Sequence, residues 1–485
     1  MSLQSDAVPL STAHDTAAAA RRAAAPEARR AAHAAAIAAR IERLPLTSYQ
    51  RGIFLIIATA WFFDSIDLGT LTFVLGSIRS EFQLTAAQTG LLSSMSFVGM
   101  FLGAGIAGMV ADRFGRSIVF QTSMIFWGAG SILCGMASDA ESLALARVLL
   151  GFGMGMEFPV AQSIVSEIIP ARKRGRYMAL LEGFWPLGFI AAGLLCLAVL
   201  SVANWRYVFF LEGAPAIFVL VIRRLVPESP RWLADRGHAD RAETVMRGIE
   251  EKVSERLGGR ALPAPAPAAS VAVDAAATAT TARRFSFLEL WSGDYARRTA
   301  MVWCLWFFAL LGYYGLTTWL GALLQQSGFA VTKSVYYTIL ISLAGVPGFF
   351  AAAWLVEAWG RKPTCILMLL GGAAATYFYG TAAGMAQLIG FGLCMQFFLF
   401  GMWSVLYAYT PELYPTRARA TGSGCASAIG RLGSLIGPYI VGVVLPTAGQ
   451  VGVFTMGAGA FVIAALVVAA LGEETRGRTL EAISH

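Results

Sequence analysis

Long apolar stretches recur along the chain, and short polar segments separate them. Three examples are 118–137, 177–202 and 454–471, and each is long enough to cross a hydrocarbon core about 30 Å thick as one helix. Apolar and polar residues do not alternate with a period of two, which argues against a β-barrel. The pattern therefore predicts an all-α membrane protein.

We predict twelve transmembrane helices. They divide into two lobes of six, because the loop after the sixth span is the longest. The predicted spans are 53–76, 86–110, 117–137, 142–166, 177–201, 205–225, 298–324, 334–356, 364–383, 387–410, 423–445 and 451–471. The predicted organisation is an N-terminal tail (1–48), a first lobe (49–226), an inter-lobe loop (227–296), a second lobe (297–472) and a C-terminal tail (473–485). An Ala/Pro/Thr-rich stretch at 259–284 indicates a flexible linker inside that loop.

Basic residues are concentrated in the short loops on one side of the predicted membrane, for example at Arg113, Arg116 and Arg361. The positive-inside rule makes this side cytoplasmic, and an even number of spans places both termini there. The chain is 57% hydrophobic and only 14% charged, with a net charge of +8. The loop bias accounts for that charge, so a lipid bilayer is expected as surroundings and no nucleic-acid partner is needed.

The chemistry-bearing residue types argue against an enzyme. All six cysteines fall inside predicted spans, without a metal-type spacing, and the four histidines lie outside the spans. No nucleotide-binding loop or nucleophile constellation is present. We therefore expect no metal, no cofactor and no catalytic residues, and we expect a monomer.

Three charged signatures occur twice, each copy 245 residues after the first. Asp112-Arg113-Phe-Gly-Arg116 recurs at 357–361, the 167–174 segment recurs at 412–419, and the 227–231 segment recurs at 472–476. A constant spacing indicates a duplicated, two-lobed body. Such clusters are suited to gates that close in one conformation. The alternative is that the basic residues only set the orientation of the helices in the membrane. The candidate gating residues are Asp112, Arg113, Arg116, Glu167, Arg174, Glu228, Arg231, Glu357, Arg361, Glu412, Arg417, Arg419, Glu473 and Arg476.

These motifs resemble those of a known family. The segment from Gly108 to Arg116 is similar to the loop motif of the major facilitator superfamily, and Arg147-Val-Leu-Leu-Gly-Phe-Gly-Met-Gly155 is similar to its helix 4 motif. The segments 227–232 and 411–419 resemble signatures of the sugar-porter and organic-ion carriers, and within that group the chain looks most like bacterial niacin transporters. The resemblance implies a secondary transporter of a bacterial inner membrane that imports a small aromatic monocarboxylate such as nicotinate by proton symport and alternating access. Efflux of another organic anion and a non-transporting membrane sensor are the alternatives.

Residues without a counterpart in the other half are candidates for substrate and proton chemistry. Asp64 and Asp67 lie three apart on one helical face of the first span and map onto Ala309 and Gly312. Ionisable groups inside a membrane are costly and usually line a polar path, so either acid is a candidate proton carrier. The alternative is a structural partner for a buried arginine.

Arg431 stands alone in an apolar run and maps onto Pro186. A guanidinium group matches a carboxylate bidentately, and the resemblance to organic anion carriers implies the same role at this position. The alternative is an internal salt bridge to Asp64 or Asp67. Glu157, Glu182 and Arg147 are also unmatched, and Arg147 is expected to pair with one of these two glutamates, for proton linkage or for structure.

Flat aromatic side chains can enclose a heteroaromatic ring. Six of them, together with one amide, complete the candidate binding site. For any single one of them, packing or interfacial anchoring is the default alternative. These candidates are Tyr313, Tyr314, Trp185, Trp403, Tyr407, Trp61 and Gln162.

Overall fold

The computed structural model describes residues 32–265, 290–291, 293–414 and 416–476. The N-terminal tail up to residue 31, most of the predicted linker 259–284 and the end of the C-terminal tail lie outside the described residues. The described part contains helices and turns and no strand. The prediction of an all-α protein is confirmed.

Two long helices of the first lobe begin at side-chain caps. Thr85 accepts a hydrogen bond from the backbone N–H of Gln88, and Asp139 accepts one from Ser142 at 2.8 Å, so exposed donors at two helix starts are satisfied. The helices of this lobe are α2 (Ser48–Glu81), α3 (Ala86–Phe114), α4 (Arg116–Met136), α5 (Ala140–Ile168), α6 (Ala171–Leu200), α7 (Arg206–Gly213) and α8 (Val219–Leu225). A 3-10 segment at Ala214–Phe218 joins the last two.

Two helices follow the first lobe, and six further helices form the second. A helix at 32–42, named α1 here, precedes the first lobe. The remaining helices are α9 (Pro230–Asp235), α10 (Ala239–Arg256), α11 (Gly293–Gln326), α12 (Val331–Ser342), α13 (Gly345–Ala358), α14 (Arg361–Gly380), α15 (Met385–Glu412) and α16 (Thr416–Leu471).

Ten helical stretches in the described part are long and apolar enough to cross a membrane. The difference from the predicted twelve has two local causes. Helix α16 bends at Gly449 (φ 62°, ψ −167°) and contains both the eleventh and the twelfth predicted span. The sixth predicted span is broken into α7, the 3-10 segment and α8 around Pro215, which has no backbone N–H to continue the helix.

One helix in each lobe, α4 in the first and α14 in the second, begins in the same way. Gly115 and Gly360 precede α4 and α14 with φ values of 109° and 110°, a region that favours glycine. The Glu228 carboxylate accepts hydrogen bonds from the first two backbone N–H groups of α4, at 2.9 Å and 3.2 Å. The Glu474 carboxylate does the same at α14, at 3.0 Å each. A carboxylate at a helix N-terminus satisfies free donors and complements the helix dipole.

These contacts correct one detail of the predicted repeat. A strict 245-residue spacing pairs Glu228 with Glu473. In the structure the counterpart of Glu228 is Glu474, 246 residues later, whereas Glu473 forms an ion pair with Arg298 at 3.0 Å. The chain therefore has one extra residue between the α14 motif and the end of the second lobe.

Helices α1, α9 and α10 form a small bundle with its own core outside the lobes. Ile37 and Ile41 of α1 pack with Leu233 and Met246. Arg40 of α1 forms ion pairs with two glutamates of α10, Glu243 and Glu250, at 2.6 Å each. Because α1 leads directly into α2, this bundle ties the start of the first lobe to the inter-lobe segment.

Hydrogen bonds in this bundle also lower the pKa of one carboxyl group of α10. Burial of Glu250 favours its neutral form, but hydrogen bonds from Arg40 and Arg43 outweigh that effect and lower the pKa of the Glu250 carboxyl. The ionised carboxylate is thus the form that the bundle stabilises.

Candidate functional site

A chamber lies between the two lobes, about halfway along the long helices. The space between its lining side chains, including the part that is open to solvent, is about 810 Å³. The first lobe contributes Trp61, Asp64, Phe97, Met100, Met154, Phe158, Glu182, Trp185 and Pro186. The second lobe contributes Trp306, Leu310, Tyr314, Phe349, Phe400, Trp403, Tyr407, Ser427, Arg431 and Ser434.

Aromatic rings form most of the second-lobe wall. Trp403 and Tyr407 lie one turn apart on α15 and stack at 5.7 Å with an interplanar angle of 22°. Trp306 and Tyr314 of α11 contact this pair edge-on, at 5.7 Å and 6.1 Å. Tyr313 does not line the chamber: it is 2% exposed and packs behind Tyr314. Neighbouring residues of a helix point about 100° apart, so only one of the two tyrosines can face the chamber.

Arg431 of α16 projects from the second lobe into the chamber. Its guanidinium group lies 5.3 Å from the centre of the Phe158 ring, across the lobe interface. None of the ion pairs found in the described part of the chain involves Arg431. The internal salt bridge to Asp64 or Asp67 considered from the sequence is therefore not present in this conformation.

Glu182 of α6 lines the same chamber as Arg431 and belongs to the first lobe. The Gln162 amide donates a hydrogen bond to one of its carboxyl oxygens at 3.1 Å. Trp185, one turn along α6, lines the same wall and contacts Trp61 edge-on at 6.1 Å. Acids and an amide thus lie on one wall and the arginine on the other.

Asp67 pairs with Arg147 rather than facing the chamber. The two side chains are fully buried and their charged atoms lie 3.6 Å apart. The expected partner of Arg147 was Glu157 or Glu182, and the structure corrects this. The pairing depends on which face of α5 meets α2, and sequence distance does not determine that rotation.

One acid of this cluster was missed from the sequence. Glu212 of α7 is 3% exposed and accepts a hydrogen bond from the Thr70 hydroxyl, close to Asp67 and Arg147. The sequence did contain a signal for this residue, namely a glutamate inside the sixth predicted span. Glu157 is also buried and lies close enough to Asp64 for the two carboxyl groups to influence each other.

A wide vestibule of about 3040 Å³ connects the chamber with the side of the charged loops. Gln162 and Glu182 line it near the chamber, and Glu357, Arg361 and Glu412 line it near the loops. The cavity is therefore open on the charged-loop side.

Three of the candidate gating residues, Glu357, Arg361 and Glu412, line the mouth of the vestibule. Arg361 contacts Glu412 through two bonds of 2.9 Å and Glu357 at 3.1 Å. The matching pair of the first lobe, Arg116 and Glu167, is 3.6 Å apart. These contacts join α14 to α15 and α4 to α5.

The remaining gating candidates lie further from the vestibule. Arg113 is exposed beside Phe114, Arg231 pairs with Glu42 of the α1 segment at 2.7 Å, and the backbone of Arg476 donates to Glu474. The side chains of Asp112, Arg174, Arg417 and Arg419 lie outside the described part of the structure.

The lobes touch on the side opposite the charged loops. A Cβ atom at Gly90 of α3 would lie 2.6 Å from the Pro438 carbonyl oxygen of α16. One turn along, the Ser94 hydroxyl donates to the Leu435 carbonyl at 2.6 Å. Gly321 of α11 meets the α2 backbone in the same manner. This close backbone contact seals the chamber from that side.

Comparison with known proteins identifies the family and the relatives of this chain. A family model described as sugar (and other) transporter matches residues 47–485. The chain is 38% identical to the niacin transporter NiaP of Acinetobacter baylyi over 448 residues, which is 92% of this chain and 99% of that protein. It is 32% identical to the putative niacin/nicotinamide transporter NiaP of Bacillus subtilis, over 89% of this chain and 98% of that protein.

Solved structures agree at the level of the fold. A partially occluded inward open conformation of the xylose transporter XylE from E. coli aligns with a TM-score of 0.72. The match covers 88% of this chain and 100% of that chain, with 17% sequence identity.

Proposed function

Since the chain belongs to the sugar (and other) transporter family, within the major facilitator superfamily, we propose that it imports a small aromatic monocarboxylate, nicotinate, through the chamber between its lobes. Transport of a small organic substrate follows from the family and from the niacin-transporting relatives. The choice of nicotinate rests on the chemistry of the chamber together with what those relatives are named for.

Arg431 is the observation that carries this proposal. It is a cation on the chamber wall, among aromatic side chains, without an ion pair in the described structure. A charge in a low-dielectric site needs a partner, and a planar carboxylate offers guanidinium two parallel hydrogen bonds. A substrate carboxylate supplies that partner.

The rings of the chamber suit the remainder of such a substrate. Trp403 and Tyr407 offer a stacked platform on one wall, and Trp61 and Trp185 face it from the other lobe. A flat ring between them would bury apolar surface on both faces, and offset or edge-on contacts add to that burial.

Import also requires alternating access. The open vestibule and the sealed opposite side fit an inward-facing state, given that the charged loops are cytoplasmic by the positive-inside rule. Rocking of the lobes about the chamber would break the Gly90 contact and close the vestibule.

Proton coupling is proposed for the acids of the first lobe. Asp64 lines the chamber, and Asp67, one turn further along α2, contacts Arg147 beside Glu212. A proton that neutralises Asp67 would weaken its attraction to Arg147 and change the helix packing around this pair. Substrate binding and protonation would thereby act on the same helix.

Uptake into liposomes tests the proposal. Purified protein should accumulate labelled nicotinate, and an inward proton gradient should raise the rate. Arg431→Gln should weaken nicotinate binding about 10- to 150-fold, the range for hydrogen bonds to charged groups, while nicotinamide is little affected. Arg241→Gln, on the exposed surface of α10, is the matched control.

Three outcomes would count against parts of this function. Unchanged nicotinate affinity in Arg431→Gln would remove the carboxylate role of Arg431. Tight binding without uptake would favour a membrane sensor. Extrusion against the imposed gradient would favour an efflux carrier.

A further inference from the structure

The two walls of the chamber carry ionisable groups of opposite kinds, acids on one and an arginine on the other. Asp64 and Glu182 belong to α2 and α6 of the first lobe, whereas Arg431 belongs to α16 of the second. In the described structure neither acid forms an ion pair with Arg431. A ligand that is only a carboxylate would satisfy the arginine and give neither Asp64 nor Glu182 an ion-pair partner.

Glu182 is the acid placed to meet the far end of a bound ring. It lines both the chamber and the vestibule, and Gln162 holds one of its oxygens. Tyr314 and Tyr407 line the same chamber as Glu182 and Arg431, so both ionisable groups lie near these two rings. Asp64, in contrast, is influenced by two further acids of its own lobe, Glu157 and Asp67.

We propose that Glu182 recognises a ring nitrogen of the substrate, so that the chamber selects pyridine carboxylates over carbocyclic acids such as benzoate. The proposal rests on the proposed function, because Arg431 must hold the carboxylate at the other end. A neutral Glu182 donates its O–H to the pyridine nitrogen, and an ionised Glu182 accepts an N–H from a pyridinium. In either arrangement one proton lies between the two groups, and no other bond changes.

Recognition at two ends has a consequence for transport. The carboxylate contact belongs to the second lobe and the nitrogen contact to the first. A ligand with both groups bridges the lobes, whereas benzoate binds only one of them. The extra contact is therefore formed fully only when the lobes approach each other around the ligand.

The measurement is the ratio of dissociation constants for benzoate and nicotinate on the purified protein. A buried polar group left without its partner typically costs about ten- to hundred-fold in affinity, so wild type should prefer nicotinate by that factor. Glu182→Met should bring the ratio close to one, because it removes the polar group that benzoate leaves without a partner. Glu182→Gln keeps an N–H donor for the pyridine nitrogen and should retain part of the preference.

Glu251→Met, on the exposed surface of α10, is the matched control and should keep the wild-type ratio. An unchanged ratio in Glu182→Met, or loss of the preference in Asp64→Asn instead, would overturn the assignment to Glu182. Failure of wild type to bind either acid would refute the proposed function itself, whereas nicotinate binding with an unchanged ratio in Glu182→Met would refute only this inference.

Discussion

The seal between α3 and α16 gives a direct test of how the lobes move. At Gly90 a Cβ atom would lie 2.6 Å from the Pro438 carbonyl oxygen and 3.0 Å from the Cα atom of Tyr439. The same carbonyl accepts a hydrogen bond from the Trp319 indole at 3.0 Å, which restricts its freedom to shift. Gly90→Ala should therefore separate the lobes at this point rather than displace one flexible side chain.

The size of the effect follows from the geometry. Ordinary van der Waals contact begins at 3.4 Å, so the Cβ atom requires a separation about 0.8 Å larger than the present 2.6 Å. Overpacking of this kind typically costs about 1–3 kcal/mol. The cost applies only to the conformation in which the seal is closed, so the population of that conformation should fall about 5- to 150-fold relative to the open one.

Spin labels on the sealed side can measure this shift. Ser201 and Lys333 are exposed residues at that end of the first and second lobe, and cysteines introduced there, in a background without reactive native cysteines, report the distance between the lobes. Gly90→Ala should shift the distribution toward longer distances and slow nicotinate uptake. Gly459→Ala on α16 is the control, because its Cβ atom would meet nothing within 4 Å.

Folding must be separated from lobe movement in this experiment. Size-exclusion profiles of the two glycine variants should match wild type. Identical distance distributions for Gly90→Ala and Gly459→Ala would refute the reasoning, since they would mean that the α3–α16 contact does not resist an added methyl group.

Three further perturbations address other contacts. Asp67→Asn removes the negative partner of the buried Arg147, and we expect a lower melting temperature and uptake that no longer responds to a proton gradient. Glu474→Gln weakens the cap of α14 and should destabilise the second lobe by about 1 kcal/mol in thermal unfolding. Arg40→Ala should release α1 and speed its proteolysis. The lowered pKa of Glu250 means that its stabilising effect is complete above the ordinary carboxyl pKa and is lost as pH falls through the lowered value, so wild type should release α1 in acid.

The α1 contact and the α14 cap each have a neighbouring control. Asp240→Asn, exposed at the start of α10, should not change α1 proteolysis. Glu473→Gln should leave the α14 cap intact, because Glu473 pairs with Arg298 instead. Retained gradient dependence in Asp67→Asn, an unchanged melting temperature in Glu474→Gln, or acid resistance of the α1 contact in wild type would each contradict the corresponding contact analysis.

Much of the architecture could be predicted from local patterns. Span positions depend on the length of apolar runs, because a bilayer imposes the same length on every crossing helix. The duplicated motifs marked the two lobes, and Gly115 and Gly360 take the same backbone conformation in both. Arg431 and Asp64 stood out because charge is costly inside a membrane, and both line the chamber.

The contacts of the buried residues were harder to predict from the sequence. Arg147 contacts Asp67, although two glutamates were the expected partners. Tyr313 lies behind Tyr314, although both were expected at the binding site. Glu212 completes the buried cluster but was overlooked in a span that the structure breaks at a proline.

The amino-acid sequence alone thus indicated the apolar stretches of the chain, the repetition of its motifs in two halves and the charges that lack a copy. These properties depend on composition and spacing along the chain. The tertiary structure decided which charges meet, which face of each helix lines the chamber and which side of it is open. A change of one residue turns a helix by about 100°, so these contacts depend on rotations and lobe positions that only the folded packing sets.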